Sequence, residues 1–111
     1  MKMKSISQGK PIENPPGVVR KTLAYNAEAM LCHFDLKKGS CIPLHSHRAT
    51  QIGYVISGKV KFLAEKPGGE FHVETGDSYV LDGFKQHGAE ALEDAELVEM
   101  FAPARDEYKD F

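Results

Sequence analysis

The feature that most constrains this chain is its punctuation. From Val18 onward, short segments rich in Val, Ile, Leu, Phe and Tyr recur, and each is cut off by Gly, Pro, Asn or Asp. The segments are 18–25, 30–36, 51–56, 60–65, 71–75, 78–81, 88–92 and 96–101, and the separators include Asn26, Gly39, Ser57-Gly58, Pro67-Gly68-Gly69, Gly76-Asp77 and Asp82-Gly83. Strand-forming runs bounded at this spacing by turn residues predict an all-β sandwich or barrel. Only 105–110 reads as helical, and it is a short C-terminal turn. Ahead of Val18 the chain is polar and broken by Pro11, Pro15 and Pro16. It reads as an N-terminal arm over 1–17 with one edge strand at 5–8, joined to a single barrel domain over 18–111.

Size and charge exclude several function classes. With 111 residues there is no room for a dinucleotide-binding domain plus a substrate domain, or for a (β/α)₈ barrel. Fourteen Lys and Arg against sixteen Asp and Glu leave a net charge of −2, so no basic field exists to hold nucleic acid. No apolar run approaches the ~20 residues of a membrane span. No apolar stretch follows the two lysines near Met1, so no signal peptide is read, and a cytoplasmic protein is expected. Cys32 and Cys41 are then free thiols rather than a disulfide scaffold.

Alternation along the strands sorts side chains to two faces. Val60, Phe62 and Ala64 point inward and Lys61 outward; Phe71 and Val73 point inward, His72 and Glu74 outward. Gln51, Gly53 and Val55 share one face, while Ile52, Tyr54 and Ile56 share the other. The second set is too apolar to face water, which predicts a covering element or, preferably, a homodimer.

Five histidines occur, two of them as His45-Ser46-His47. On an extended backbone residues i and i+2 face the same way, so both imidazoles converge on one point. Gln51 has the same parity and opens the next strand, and His87 is the natural third imidazole from a different strand. Read alone, a His-x-His pair is also compatible with two surface histidines on a loop. Glu99 shares its face with Leu97 and Phe101, so it is either an inward carboxylate with a raised pKa or a solvated glutamate near a strand end. Arg105 is either a guanidinium swung over a cavity mouth or a solvated residue opening the terminal turn.

The segment from Gly39 through His45, His47 and Gln51 to Gly58 resembles the first motif of the cupin superfamily, G-x5-H-x-H-x3-E-x6-G, with Gln51 at the usual Glu position. The second motif, G-x5-P-x-G-x2-H-x3-N, is matched from Gly76 with His87 at its histidine, while Asp82, Phe84 and Ala91 replace Pro, Gly and Asn. The resemblance implies a single-domain jelly-roll β-barrel holding a divalent transition metal (Ni, Fe, Mn, Zn or Co) on His45, His47, Gln51 and His87. Three imidazoles and an amide leave the metal charge uncompensated, which favours Lewis acidity and anion binding.

A narrower set of residues is similar to the KdgF family of small cupins. They are Arg20-Lys-Thr-Leu-Ala-Tyr25, the His-Ser-His run with Gln51, Gly76-Asp-Ser, His87-Gly88 and Phe101-Ala-Pro-Ala-Arg105. That family converts 4,5-unsaturated uronates to linear keto sugars. Its catalytic Asp and Arg fall at Glu99 and Arg105, so the resemblance implies a small-molecule uronate substrate with these two as the catalytic pair. A non-catalytic sugar- or anion-binding cupin and a cupin dioxygenase are the alternative functions.

Overall fold

A computed structural model describes residues 1–109, so residues 110 and 111, on which the expected helical segment and barrel domain end, lie outside the described residues. Its strands are β1 (Ile12–Glu13), β2 (Val18–Tyr25), β3 (Met30–Leu36), β4 (Cys41–His45), β5 (Thr50–Ser57), β6 (Lys59–Ala64), β7 (Phe71–Glu74), β8 (Ser78–Leu81), β9 (His87–Ala91) and β10 (Ala95–Ala102). They form one six-stranded sheet in the order β1-β2-β3-β10-β5-β8 and one four-stranded sheet in the order β4-β9-β6-β7. The strand pairs are antiparallel. Together they make an all-β, two-sheet jelly roll. All eight expected strands are present, with ends shifted by a residue or so.

Three local expectations differ. The Ser5–Gln8 segment is a 3₁₀ turn over Ile6–Gln8 rather than an edge strand. The Gln8 side chain accepts the Ser5 backbone N–H at 2.7 Å, a capping interaction that gives the segment a partner without a sheet. The sheet edge is Ile12–Glu13 instead, paired with Val19 and Arg20. Phe71 was expected inside but remains 39% exposed on edge strand β7, its ring stacked on Phe62 with centroids 5.3 Å apart. The terminal helix is a single 3₁₀ turn, Asp106–Tyr108.

The core lies between the sheets and draws on both: Val18, Phe34, Val55 and Phe101 from the larger sheet, Val60, Phe62 and Val73 from the smaller. Alternation within β5 is strict. Gln51, Gly53 and Val55 are buried, whereas Ile52, Tyr54 and Ile56 are exposed. Met100 sits opposite both Leu31 and Ile52, and Ile52 opposite Val80. This makes an unbroken apolar row across four strands on the outer face.

Two backbone details place the site. Gly53 faces Tyr79 across the sheet, and a Cβ there would fall inside the Tyr79 ring and hydroxyl. Phe84 has φ +65°, the left-handed conformation that glycine adopts most cheaply, and its N–H donates to the His47 carbonyl at 2.7 Å. Phe84 therefore keeps a glycine-like backbone without being a glycine, and it clips the 82–84 turn onto the histidine-bearing loop.

Candidate metal centre

His45 ends β4, His47 lies in the loop that follows, and His87 opens β9. Antiparallel pairing sets His45 opposite His87. The ring centroids lie 4.6 Å (His45–His87), 4.9 Å (His47–His87) and 5.5 Å (His45–His47) apart. One nitrogen from each ring falls within 4.8 Å of the others.

The hydrogen bonds decide which nitrogens face inward. Each Nδ1 lies next to a backbone carbonyl two residues away: His45 to Pro43 at 2.9 Å, His47 to Ala49 at 2.8 Å, His87 to Lys85 at 3.1 Å. A carbonyl only accepts, so each ring carries a proton on Nδ1, and in the neutral imidazole the lone pair then lies on Nε2. The Nε2 of His87 is buried without a hydrogen-bond partner among the described residues. Burial and the neighbouring His45 and His47 hold the His87 imidazole down at about 4, and burial and Arg105 lower that of His47, so both rings are neutral at pH 7.

Gln51 completes the set. Its Nε2 donates to Glu99 Oε2 at 2.6 Å, which fixes the amide and turns Oε1 toward His47 Nε2 at 3.2 Å. Three lone-pair nitrogens and an amide oxygen then face one space with no proton among them. A divalent cation fits this donor set, and the orphaned His87 nitrogen is an atom that such an ion would satisfy.

Glu99 points inward and is 5% exposed. Burial raises its pKa, while hydrogen bonds from Tyr79 and Gln51 and the charge of Arg105 oppose the rise. The Tyr79 hydroxyl donates to the same oxygen as Gln51 does, in a short contact. Sequence reasoning missed Tyr79, although Gly53 opposite it was a usable signal, since a glycine inside an otherwise regular strand marks a close approach. Arg105 borders the cavity with a mostly buried side chain. Its Nε donates to Glu107 at 2.7 Å and its guanidinium lies 4.0 Å over the Tyr108 ring. It is thus packed against aromatic groups rather than solvated.

A cavity of about 240 Å³ joins these groups. His45, His87, Gln51, Glu99 and Arg105 border it, while Val18, Phe34, Leu36, Phe62 and Leu97 form an apolar wall. All six residues singled out from the sequence therefore gather around one space, with His47 entering through its contact to Gln51.

A family model described as "Cupin domain" matches residues 32–102. No curated protein matches the sequence. Among solved structures, an RmlC-like cupin from Shewanella frigidimarina NCIMB 400 is 26% identical with a TM-score of 0.88, over 98% of this chain and 96% of that one. KdgF from Halomonas sp. is 28% identical with a TM-score of 0.86, over 97% of this chain and 100% of that one. Oxalate decarboxylase from Bacillus subtilis, a protein with Mn(II) centres, shares the fold at 21% identity and a TM-score of 0.82, over 99% of this chain and 32% of that one.

Proposed function

The chain belongs to the cupin-domain family, and from that premise we propose that it is a metal-dependent enzyme opening the ring of a 4,5-unsaturated uronate. The observation that carries this reading is the single cavity in which Glu99, tied to Gln51, adjoins the inward lone pairs of the three histidines. His45, His47, Gln51 and His87 would hold the cation, and Glu99 and Arg105 would serve as the catalytic pair. When bound, a divalent cation there would polarise the sugar oxygens as a Lewis acid.

The remaining steps belong to the side chains. Arg105 binds the uronate carboxylate, its plane already oriented by Tyr108. Glu99 takes the proton of the anomeric hydroxyl. The C1–O5 bond then breaks toward O5, giving an aldehyde at C1 and an enolate at C5. Glu99 returns the proton to C4, which leaves the C5 ketone, so the reaction is an isomerisation with no external reactant. Burial raises the proton affinity of Glu99, as a carboxyl that must both take and give a proton near neutral pH requires. Tyr79 and Gln51 anchor one carboxylate oxygen and fix where the longer Glu side chain ends. The similarity to KdgF supports the substrate class.

The test is loss of the conjugated double-bond absorbance of unsaturated galacturonate, paired with metal analysis of the same sample. Turnover that rises with metal content supports the reading. Full turnover in metal-stripped protein overturns it. Arg105 at the cavity is equally suited to a second reading, a non-catalytic cupin that binds a small sugar or anion, and tight binding without turnover would select it. Oxygen uptake with Fe(II) would select a dioxygenase instead.

We further propose that the functional unit is a homodimer built on the outer row of Leu31, Met100, Ile52 and Val80, each at least 39% exposed. Free Cys32 and Cys41 fit the proposed cytoplasmic location. Among the described residues, no helix is long and apolar enough to cross a membrane.

A further inference from the structure

A second cluster of ligating groups lies on the opposite, outer face of the six-stranded sheet. His33 of β3 alternates outward with Leu31 and Asp35, yet it is only 4% exposed. Its Nε2 lies 2.6 Å from Glu96 Oε2, on neighbouring β10. Among the described residues its Nδ1 is buried with no hydrogen-bond partner and lies 3.9 Å from Asp35 Oδ2, too far for a hydrogen bond.

The chemistry of this arrangement is constrained. A carboxylate at 2.6 Å from a ring nitrogen requires a proton between them, so the imidazole proton sits on Nε2. In the neutral ring Nδ1 is then a lone pair facing a carboxylate oxygen across a gap that a cation would fill. Lys21 occupies the opposing position on β2, but its ammonium bonds to the Ile6 carbonyl at 3.4 Å. Neither Asp35 nor Glu96 meets a Lys or Arg within ion-pair distance among the described residues. The two carboxylates also border a groove to which Glu13 and Asp94 add further negative charge, against Lys37 alone.

We propose that His33 Nδ1 and Asp35 form a second divalent-cation site, with Glu96 as the outer carboxylate that orients the ring. Zinc–nitrogen and zinc–oxygen bonds of about 2.0–2.2 Å place the two ligand atoms within about 4.3 Å of each other, and the 3.9 Å gap accepts the ion with a bent geometry. The Glu96–His33–cation chain is the carboxylate–histidine–metal arrangement that fixes tautomer and raises ligand basicity. Mixed nitrogen and oxygen ligation suits Zn(II) and its first-row neighbours. Such an ion would bridge two residues of β3 beside the apolar row, with β10 joined to it only through the Glu96–His33 hydrogen bond. The site is separate from the barrel cluster and does not depend on the reaction proposed for it.

Calorimetric titration of the full chain with zinc chloride tests the proposal. Wild type should take up two equivalents. Asp35→Asn should remove only the weaker one, and Glu96→Gln should weaken it by about 10–100-fold. His45→Ala should remove only the tighter one, so failure of the barrel cluster and failure of this site give different patterns. Asp35 is an exposed side chain, so its substitution leaves the fold intact even if His33→Gln does not. In NMR spectra, added Mn(II) should broaden the His33 ring signals in His45→Ala and spare them in His45→Ala/Asp35→Asn. A weaker equivalent that survives Asp35→Asn, or that disappears in His72→Ala, overturns the proposal. So does a wild-type isotherm with one equivalent that His45→Ala abolishes, the result expected if a proton alone occupies the gap.

Discussion

The inner and outer faces of β5 and β10 reverse the usual order of a sheet. Inside, these paired strands carry Gln51 and Glu99 within a hydrogen-bonded group completed by Tyr79. Outside, the same strands carry Ile52, Tyr54, Ile56 and Met100, all at least 39% exposed. A buried carboxylate costs several kcal/mol unless its surroundings compensate. An exposed apolar row is equally unfavourable unless something covers it. The contrast teaches that each face is unfinished as a stability device, which is what the proposed ligand on one side and the proposed partner on the other would complete.

The largest expected effect attacks the inner face. Glu99→Gln should lower kcat on unsaturated galacturonate by about 10²–10⁴-fold while metal content stays at the wild-type level. Lost metal instead would mean that the carboxylate serves only to hold Gln51. Gly53→Ala should come next. The new Cβ displaces the Tyr79 hydroxyl from Glu99, at a cost of about 1–3 kcal/mol in urea unfolding, with kcat falling in parallel.

The pH dependence of the metal-free protein follows from His87, held at about 4 when folded against an ordinary 6.5. Between those values the unfolded chain binds more protons than the folded one. Stability is therefore full above about pH 6.5 and falls as pH drops toward 4, by on the order of 1–3 kcal/mol. Urea unfolding across that range should show the slope, and His87→Gln should flatten it. On the outer face, Ile52→Lys should weaken self-association at least about tenfold by sedimentation, since it sets like charges against each other across the proposed dimer. Its effect on monomer stability should stay within about 0.5 kcal/mol. The smallest expected change is Phe84→Gly, which relieves a left-handed backbone and shifts stability upward by less than about 1 kcal/mol in thermal unfolding.

Local chemistry was legible in the sequence wherever a period or a turn residue encodes it. The strand pattern, the strict alternation of β5 and the face that Glu99 shares with Leu97 and Phe101 are local properties, and each reads directly from spacing. Strand β4 was not readable. Cys41-Ile-Pro-Leu-His45 contains Pro43, which is tolerated because β4 is the edge of its sheet, a fact of topology rather than composition. Tyr79 was hidden for a related reason. Its contact with Glu99 depends on how β8, β5 and β10 line up, and register is a long-range property. His33 stayed unremarked because it carries no motif, and only the fold brings Glu96 to it.

The three carbonyls that hold the histidine rings have a consequence for how such a centre can change. Each is supplied from only two residues away, by Pro43, Ala49 and Lys85. The aim of every imidazole is thus written into its own short stretch of chain, and the barrel has only to bring those stretches together. Distant walls of the cavity can then be altered without unsettling the ring orientations. A site organised in this way can exchange one guest molecule for another while its anchoring hardware stays unchanged.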